Sequence, residues 1–224
     1  MFRKIELIFF LILVAGFILL NRNLGKPVVS EEISEHRITV VLDAGHGGKD
    51  PGKVGTNGVL EKDINLKIAE KVKEYLELKE IEVIMTREND EMCGDQNESK
   101  SENMKKRVDI INEIKPDLAV SIHQNSYTDA SVYGAQTFYY SESEEGKRAA
   151  EIIQSNLLDF DMENHRQAKA NNNYYLLTKT KVPTVIVECG FLSNPSEAEK
   201  LADEDYQDKI SKVIVDGIES CFVN

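Results

Sequence analysis

The stretch ITVVLDAGHGGKDPG, residues 38–52, sets an apolar, β-branched run directly in front of a turn that contains four glycines. The apolar run predicts a buried strand. His46 follows this strand, with glycines on both sides of it. Because glycine adopts positive φ and has no side chain to block a ligand, the turn favours a histidine with open space around it. Open α/β sheets place binding sites at the carboxyl ends of their strands, so His46 is the first candidate site residue.

The rest of the chain alternates between strand and helix patterns. Strands are predicted at 37–44, 81–87, 117–123, 135–140, 173–177 and 183–190, and helices at 61–79, 103–114, 144–160, 194–203 and 205–221. This alternation favours an α/β fold: a twisted, mostly parallel sheet of about six strands, flanked by helices on both faces. The elements fill residues 37–221, which we predict to form a single domain.

The first 26 residues differ in kind from the rest. Basic residues flank an apolar block, Leu7–Leu20, which is near the lower limit for a membrane span when Ile5 is included. No small residues suited to signal-peptide cleavage follow this block. We therefore expect residues 1–26 to form an uncleaved signal-anchor, with a removed signal peptide as the alternative, and the polar residues 27–36 to form a linker. Either form exports the domain.

Charge and cysteine content exclude two classes of protein. The formal net charge is −12, and residues 1–26 hold four basic residues and one acidic residue, so the remainder carries −15. A domain this acidic is not expected to bind nucleic acid, because phosphate binding needs clustered Lys and Arg. Three cysteines are too few for a disulfide scaffold. Cys189 is expected to pack within a strand. The sequence allows a disulfide bridge between Cys93 and Cys221 but does not decide whether it forms.

Side chains that can bind metal or transfer protons follow three of the predicted strands. His46 and His123 end the first and third strands, Glu188 ends the last, and Glu61 begins the first helix. Because the carboxyl ends of parallel strands converge on one edge, we expect these residues to share a cleft. Two imidazoles and a carboxylate form a tripod that zinc accepts, and a further carboxylate can act as general base. The spacing thus suits a zinc tripod of His46, Glu61 and His123, with Glu188 as the base.

The same spacings allow plainer interpretations, since no short zinc motif such as HExxH is present. Glu61 is also explained as a carboxylate that the helix dipole favours in a first turn. Asp43 is equally compatible with a metal ligand, a loop cap or a partner of a histidine. His36, in the linker, and His165, in a solvated stretch, are expected to have no role in the site. A role without function is a poorer explanation for Glu188, because an unpaired carboxylate in a buried strand is unfavourable.

Seven motifs occur in one order along residues 37–220. They are VVLDAGHGGKDPG, VLEKDINLKIAEKV, VIMTREND, KRVDIIN, DLAVSIHQNS, YGAQTFYY and VPTVIVECGFLSNPSEAEKL. Together they resemble the zinc-dependent N-acetylmuramoyl-L-alanine amidases of bacterial cell-wall metabolism. Several motifs in a fixed order are far more specific than a lone glycine pattern.

The resemblance implies a reaction and a site. Members of this family hydrolyse the amide between the lactyl group of N-acetylmuramic acid and the L-alanine of the peptidoglycan stem peptide, and they use one zinc ion per chain. The matching positions imply that zinc is held by His46, Glu61 and His123. They also imply that Glu188 is the catalytic glutamate.

Four further residues are expected to support the site or to contact the substrate: Asp43, Asn125, Arg87 and Arg107. The last three match family positions, whereas Asp43 comes from the first motif itself. The open turn around His46 is expected to keep the backbone out of a groove that admits a glycan-peptide polymer. Valine at Gly47 or Gly48 is therefore expected to impair turnover more than folding.

The small architecture resembles the amidase subgroup that processes the cortex peptidoglycan of bacterial spores. The motif VECGFLSN, with cysteine after the glutamate, and the short region 160–173 fit that subgroup. The resemblance implies muramic-lactam formation, a role in germination, and a location outside the cytoplasmic membrane or between the forespore membranes. A sporulation protein partner is a further hypothesis. The alternatives are a non-catalytic peptidoglycan-binding scaffold and another zinc wall hydrolase, an endopeptidase or a deacetylase.

Overall fold

Six strands form one sheet in the computed structural model of the chain, which describes residues 37–91, Cys93 and residues 99–223. The strands are β1 Thr39–Ala44, β2 Glu82–Met85, β3 Leu118–Asn125, β4 Gln136–Tyr139, β5 Lys169–Ala170 and β6 Thr184–Phe191. Their order is β2-β1-β3-β6-β4-β5, and all neighbours are parallel except β4 and β6. The prediction of a mostly parallel sheet of about six strands is confirmed. The expected signal-anchor and linker, residues 1–36, lie outside the described residues.

Helices within the described ranges pack against this sheet. They are α1 Glu61–Glu77, α2 Lys100–Ile114, α3 Glu144–Phe160, α4 Tyr175–Lys179, α5 Pro195–Ala202 and α6 Glu204–Ser220. α3 has the predicted bounds, whereas α2 begins three residues earlier than predicted. It begins there because Ser99 and Glu102 form a capping box, in which each side chain accepts the other's backbone N–H. No helix in these ranges is long and apolar enough to cross a bilayer.

The two faces of the sheet pack against different helices, as predicted. Successive strand residues point to opposite faces. Val40 and Leu42 belong to the larger core cluster, with α1, α3 and α6. Val41 belongs to the smaller cluster, with α2 and α4. His123 and Glu188 lie opposite each other in the β3–β6 register. Each lies an even number of residues from a member of the smaller cluster in its own strand, so both side chains are on the α2 and α4 face. The candidate site therefore opens on that face.

The prediction of a strand at residues 173–177 is wrong. Residues Tyr175–Lys179 form the short helix α4, and the edge strand is β5 instead. Leu176 and Leu177 are both buried, which a strand with one solvated face would not achieve for neighbouring residues. A short apolar run does not by itself distinguish a strand from one buried helical turn.

The described cysteines are all thiols, so the bridge between Cys93 and Cys221 that the sequence left open is not formed. Cys189 is fully buried in β6, as expected for a small packed residue. Burial raises the pKa of its thiol well above the ordinary range, which makes a nucleophilic thiolate unfavourable there.

Candidate active site

Three side chains from separate parts of the chain meet at the carboxyl edge of the sheet. His46 follows β1, Glu61 is the first residue of α1, and His123 lies in β3. Oε1 of Glu61 lies 3.2 Å from Nε2 of His46 and 2.9 Å from Nδ1 of His123. One potential ligand atom from each residue lies within 4.8 Å of the other two, so the group could hold a metal ion. The structure thus brings together the predicted tripod.

Backbone N–H groups fix the carboxylate at the centre of this group. Oε2 of Glu61 accepts a hydrogen bond from Lys53 N at 2.7 Å, and Oε1 accepts one from Gln124 N at 3.2 Å. Burial opposes the charge of Glu61, but the hydrogen bonds and charges of His123 and His46 outweigh it and hold the pKa below its usual range. Glu61 is therefore an ionised ligand candidate rather than only a carboxylate favoured by the helix dipole.

The glycines of the first motif make room for the site's own side chains. A Cβ on Gly45 would lie 2.2 Å from Cε1 of His123. A Cβ on Gly52 would lie 2.5 Å from Oε2 of Glu61. His46 itself has a φ of +62°, a left-handed conformation that is uncommon for a residue with a side chain. The bare backbone therefore lets the histidines and Glu61 approach each other closely.

Two buried arginines hold the turn that carries His46. Arg87 donates from Nε to Ala44 O at 2.8 Å and from Nη2 to Gly45 O at 3.1 Å. Arg107 donates from Nη1 to Ala44 O at 2.8 Å and from Nη2 to His46 O at 2.5 Å. Buried carbonyl groups need such partners. The guanidinium groups thus face the backbone of the turn, which is a supporting position.

Asp43 anchors one of these arginines and makes no hydrogen bond to a histidine among the described residues. Its carboxylate accepts hydrogen bonds from Thr86 Oγ1 and Ser121 Oγ, each at 2.6 Å, and from Arg107 Nη1 at 2.5 Å. Burial would raise the pKa of Asp43, but Arg107 and the two hydroxyls outweigh it and lower the pKa to about 2. These contacts differ from all three interpretations of Asp43, because its carboxylate instead anchors Arg107, which holds the loop.

Asp50 is a site residue that the sequence reasoning missed. Its Oδ2 lies 2.8 Å from Nδ1 of His46, and its Oδ1 lies 2.5 Å from Nζ of Lys100. A carboxylate on the distal ring nitrogen orients a ligand histidine. The available signal was an acid four residues after His46 in the same glycine-rich loop.

Glu188 is buried without the partners that Asp43 has. Its side chain is on the same face as His123, only 6% of the residue is exposed, and Oε2 has no hydrogen-bond partner among the described residues. Burial raises the pKa of Glu188 to about 7, with His123 lowering it and Glu61 raising it further. A carboxyl group of this pKa can both accept and donate a proton near neutral pH.

A cavity of about 100 Å³ adjoins His123 and Glu188. Tyr174, which the sequence reasoning also missed, lines it and packs edge-on against Phe138 with ring centroids 5.6 Å apart. Burial and the charges of Glu188 and Glu61 raise the pKa of Tyr174 to about 12. The phenol therefore stays protonated beside the site. Tyr174 directly precedes α4, in the segment wrongly predicted as a strand.

Asn125 lies two residues after His123 in the same strand. Asn125 ends β3, pairs with Phe191 after a register shift, and accepts a hydrogen bond from Ser126 N at 2.7 Å. His165 is exposed, and His36 lies outside the described residues.

The fold and the site together define an α/β protein with a candidate metal centre and a nearby buried carboxyl group of raised pKa. A family model described as N-acetylmuramoyl-L-alanine amidase matches residues 40–220. The chain belongs to this family of amidases. The resemblance drawn from the seven motifs is confirmed over nearly the whole described domain, and so is the prediction of an amidase.

Relatives and solved structures agree with this assignment. The chain is 40% identical over 184 residues to the germination-specific N-acetylmuramoyl-L-alanine amidase of Bacillus subtilis strain 168, covering 80% of this chain and 77% of the relative. The CwlD amidase from Clostridioides difficile, solved in complex with the GerS lipoprotein, is 40% identical with a TM-score of 0.79. That match covers 83% of this chain and 98% of CwlD. An N-acetylmuramoyl-L-alanine amidase from Clostridium difficile 630 is 33% identical with a TM-score of 0.74, over 82% and 96% of the two chains.

Proposed function

We propose that the chain hydrolyses the amide between the lactyl group of N-acetylmuramic acid and the L-alanine of the stem peptide in peptidoglycan. One observation carries the proposal: Glu188, a buried carboxyl with an unpartnered oxygen, lies beside the His46, Glu61 and His123 group on one face of the sheet. A buried polar group without a partner is unfavourable, and such groups mark functional sites.

The donor set fits a single zinc ion. Two imidazoles and one carboxylate are a ligand combination found in catalytic zinc sites, which leave a position open for water or substrate. The ligand atoms lie within 4.8 Å of one another, and Glu61 is ionised, as metal binding requires. When bound at His46, Glu61 and His123, zinc supplies a Lewis acid that polarises a carbonyl and acidifies water.

The proton transfers belong to Glu188. Its carboxylate accepts a proton from the attacking water, and its protonated form then donates to the nitrogen of the leaving L-alanine. This second transfer is essential, because an amine leaves poorly as an anion. In the metal-free site the pKa of Glu188 is about 7, and a carboxyl group near this value can transfer protons in both directions.

The surrounding residues keep this geometry. Asp50 orients the ring of His46 through its 2.8 Å contact with Nδ1. Arg87 and Arg107 hold the turn around His46, and Asp43 anchors Arg107. These are positioning residues, whereas Tyr174 lines the cavity beside His123 and Glu188.

We further propose that the chain acts outside the cytoplasmic membrane on spore-cortex peptidoglycan. Support comes from the relative in Bacillus subtilis, which is named a germination-specific amidase. The CwlD amidase was solved with a lipoprotein, which supports a protein partner for this chain as well. Residues 1–26 as a membrane anchor and 27–36 as a linker are consistent with such a location.

Digestion of purified peptidoglycan tests the proposal. The zinc-loaded full-length chain is expected to release stem peptides that begin with L-alanine, identified by mass spectrometry. Glu188→Gln is expected to release none, whereas Glu199→Gln, a change at an exposed glutamate of α5, is expected to behave as wild type. Released acetate or cut peptide cross-links in place of stem peptides would contradict the proposal.

A further inference from the structure

Arg166, in the connection between α3 and β5, has a guanidinium group that oxygen atoms of the backbone and of an amide hold in place, with the charge of Glu197 nearby but not in an ion pair with it. Nε donates to Tyr133 O at 2.7 Å, and Nη1 donates to Oε1 of Gln136 at 3.1 Å. The guanidinium carbon lies 4.5 Å above the ring of Phe191. Within the described ranges, no carboxylate forms an ion pair with Arg166, and its Nη2 has no hydrogen-bond partner.

The contacts of Arg166 place it beside the candidate active site. Gln136, which accepts its hydrogen bond, pairs directly with Glu188 across the β4–β6 ladder. Phe191, on which it stacks, pairs with Asn125 at the end of β3. The guanidinium group is therefore one side chain away from Glu188, at the carboxyl edge of β3 and β6.

A fixed cation here is unusual for this domain. Residues 27–224 carry a net charge of −15, yet the acidic group that acts on this partly exposed guanidinium, Glu197, accepts hydrogen bonds from Gly134 N and Phe191 N and forms no ion pair with it among the described residues. The three contacts already restrict its rotamers, so little conformational entropy remains to be lost when it binds a ligand. Arginine binds carboxylates through parallel, charge-assisted hydrogen bonds.

The proposed substrate supplies such a ligand at a suitable distance. The stem peptide carries free carboxylates beyond its L-alanine. Each residue of an extended peptide advances about 3.3–3.6 Å, so the second stem residue lies roughly 7 Å from the scissile nitrogen. The path from Glu188 to the guanidinium group crosses one neighbouring strand residue, Gln136, and the hydrogen bond from Arg166 Nη1 to its side chain.

We propose that Arg166 binds a carboxylate of the stem peptide, at the residue that follows L-alanine, and so determines which stem peptides are cleaved. This inference rests on the proposed function. It assigns Arg166 a substrate contact in addition to its hydrogen bonds with Tyr133 O and Gln136.

The test compares native peptidoglycan with the same preparation after carbodiimide-coupled amidation of its carboxyl groups. The zinc-loaded full-length chain is assayed for release of stem peptides. For wild type we expect kcat/KM to be about ten- to a hundredfold lower on the amidated polymer, as for loss of a charged hydrogen bond. Arg166→Gln is expected to cleave both polymers at the same low efficiency. Arg166→Lys, which keeps the charge, is expected to restore part of the preference.

Arg148→Gln is the matched control. Arg148 is exposed and lines a pocket with Pro116 and Pro183, next to the amino ends of β3 and β6 and so away from the site. Its substitution is expected to keep the wild-type preference. A purely structural role for Arg166 would lower activity on both polymers but leave the preference between them intact, which would overturn the inference. Equal cleavage of both polymers by wild type would also overturn it.

Binding separates this inference from the proposed function. In the Glu188→Gln background the protein is expected to sediment with native peptidoglycan more strongly than with amidated peptidoglycan. Adding Arg166→Gln is expected to abolish that difference. If wild type releases no stem peptide but this difference is present, the proposed function fails and the carboxylate contact stands. If the difference is absent, the carboxylate contact fails.

Discussion

Asp43 and Glu188 are two buried carboxyl groups on the same face of one sheet, in strands separated only by β3, and they have opposite properties. Asp43 is 2% exposed and accepts hydrogen bonds from two hydroxyls and Arg107. Glu188 is 6% exposed and has an oxygen without a partner among the described residues. The pKa is about 2 for Asp43 and about 7 for Glu188. Partners, rather than depth, separate a carboxylate that stabilises the fold from one that can transfer protons.

Substitution of Glu188 is expected to have the largest effect, and that effect is on catalysis. Glu188→Gln removes the proton acceptor while keeping the shape of the side chain, so the rate of stem-peptide release is expected to fall by at least about a hundredfold, below the level that the digestion detects. The midpoint of thermal unfolding is expected to stay the same or rise, because a buried carboxyl without full pairing is replaced by a neutral group. A mutant that loses stability as well as activity would show that Glu188 is a second structural anchor.

The corresponding change at Asp43 is expected to act on stability. Asp43→Asn leaves the Arg107 guanidinium buried without its counter-charge, and breaking a buried pair costs roughly 3–5 kcal/mol of unfolding free energy. Denaturant titration measures this loss, with the exposed Asp109→Asn in α2 as control. A loss below about 1 kcal/mol would remove the contrast between the two carboxyls.

Acid should weaken the fold through Asp43. Its folded-state pKa of about 2 lies below the unfolded value of about 3.9, so the ionised group stabilises the fold above pH 4. This contribution, about 2 to 3 kcal/mol, is lost as the pH falls from 4 towards 2. Unfolding titrations over this range are expected to show the decline in wild type and a weaker one in Asp43→Asn. Parallel curves for the two proteins would show that other groups cause the decline.

Asp50 is intermediate between Asp43 and Glu188. Its carboxylate contacts His46, a candidate metal ligand. Asp50→Asn weakens the interaction that orients the His46 ring, and we expect zinc affinity to fall about ten- to a hundredfold. Competition with a chromophoric chelator measures this affinity. The mutant is expected to regain activity in excess zinc, and unchanged affinity would show that the 2.8 Å contact does not position the ligand.

Much of the fold and the candidate metal site could be predicted from the sequence because their signals are regular. Apolar runs predicted β1, β3 and β6, and parallel strands bring their carboxyl ends together wherever the intervening helices lie. The convergence of His46 and His123 follows from that rule. The helix that begins with Glu61 was predicted from its apolar periodicity.

The residues whose roles the sequence left undecided, or that it missed, depend on side-chain contacts between distant segments. The role of Asp43 stayed open because its partners come from the end of β2, from β3 and from α2. Tyr174 lay in a run whose period fitted a strand as well as a helical turn. Arg166 lay in a polar stretch without periodicity, where only the ladder between β4 and β6 shows its nearness to Glu188.

Digestion of peptidoglycan in water enriched in oxygen-18 tests the central claim most directly. Hydrolysis at the lactyl amide is expected to place the label on the lactyl carboxylate of muramic acid. The released stem peptide, with its new L-alanine amino terminus, is expected to carry none. Glu188→Gln should leave both products undetected. Label in a peptide carboxylate or in released acetate would contradict the account, because it would place the attacked bond elsewhere in the polymer.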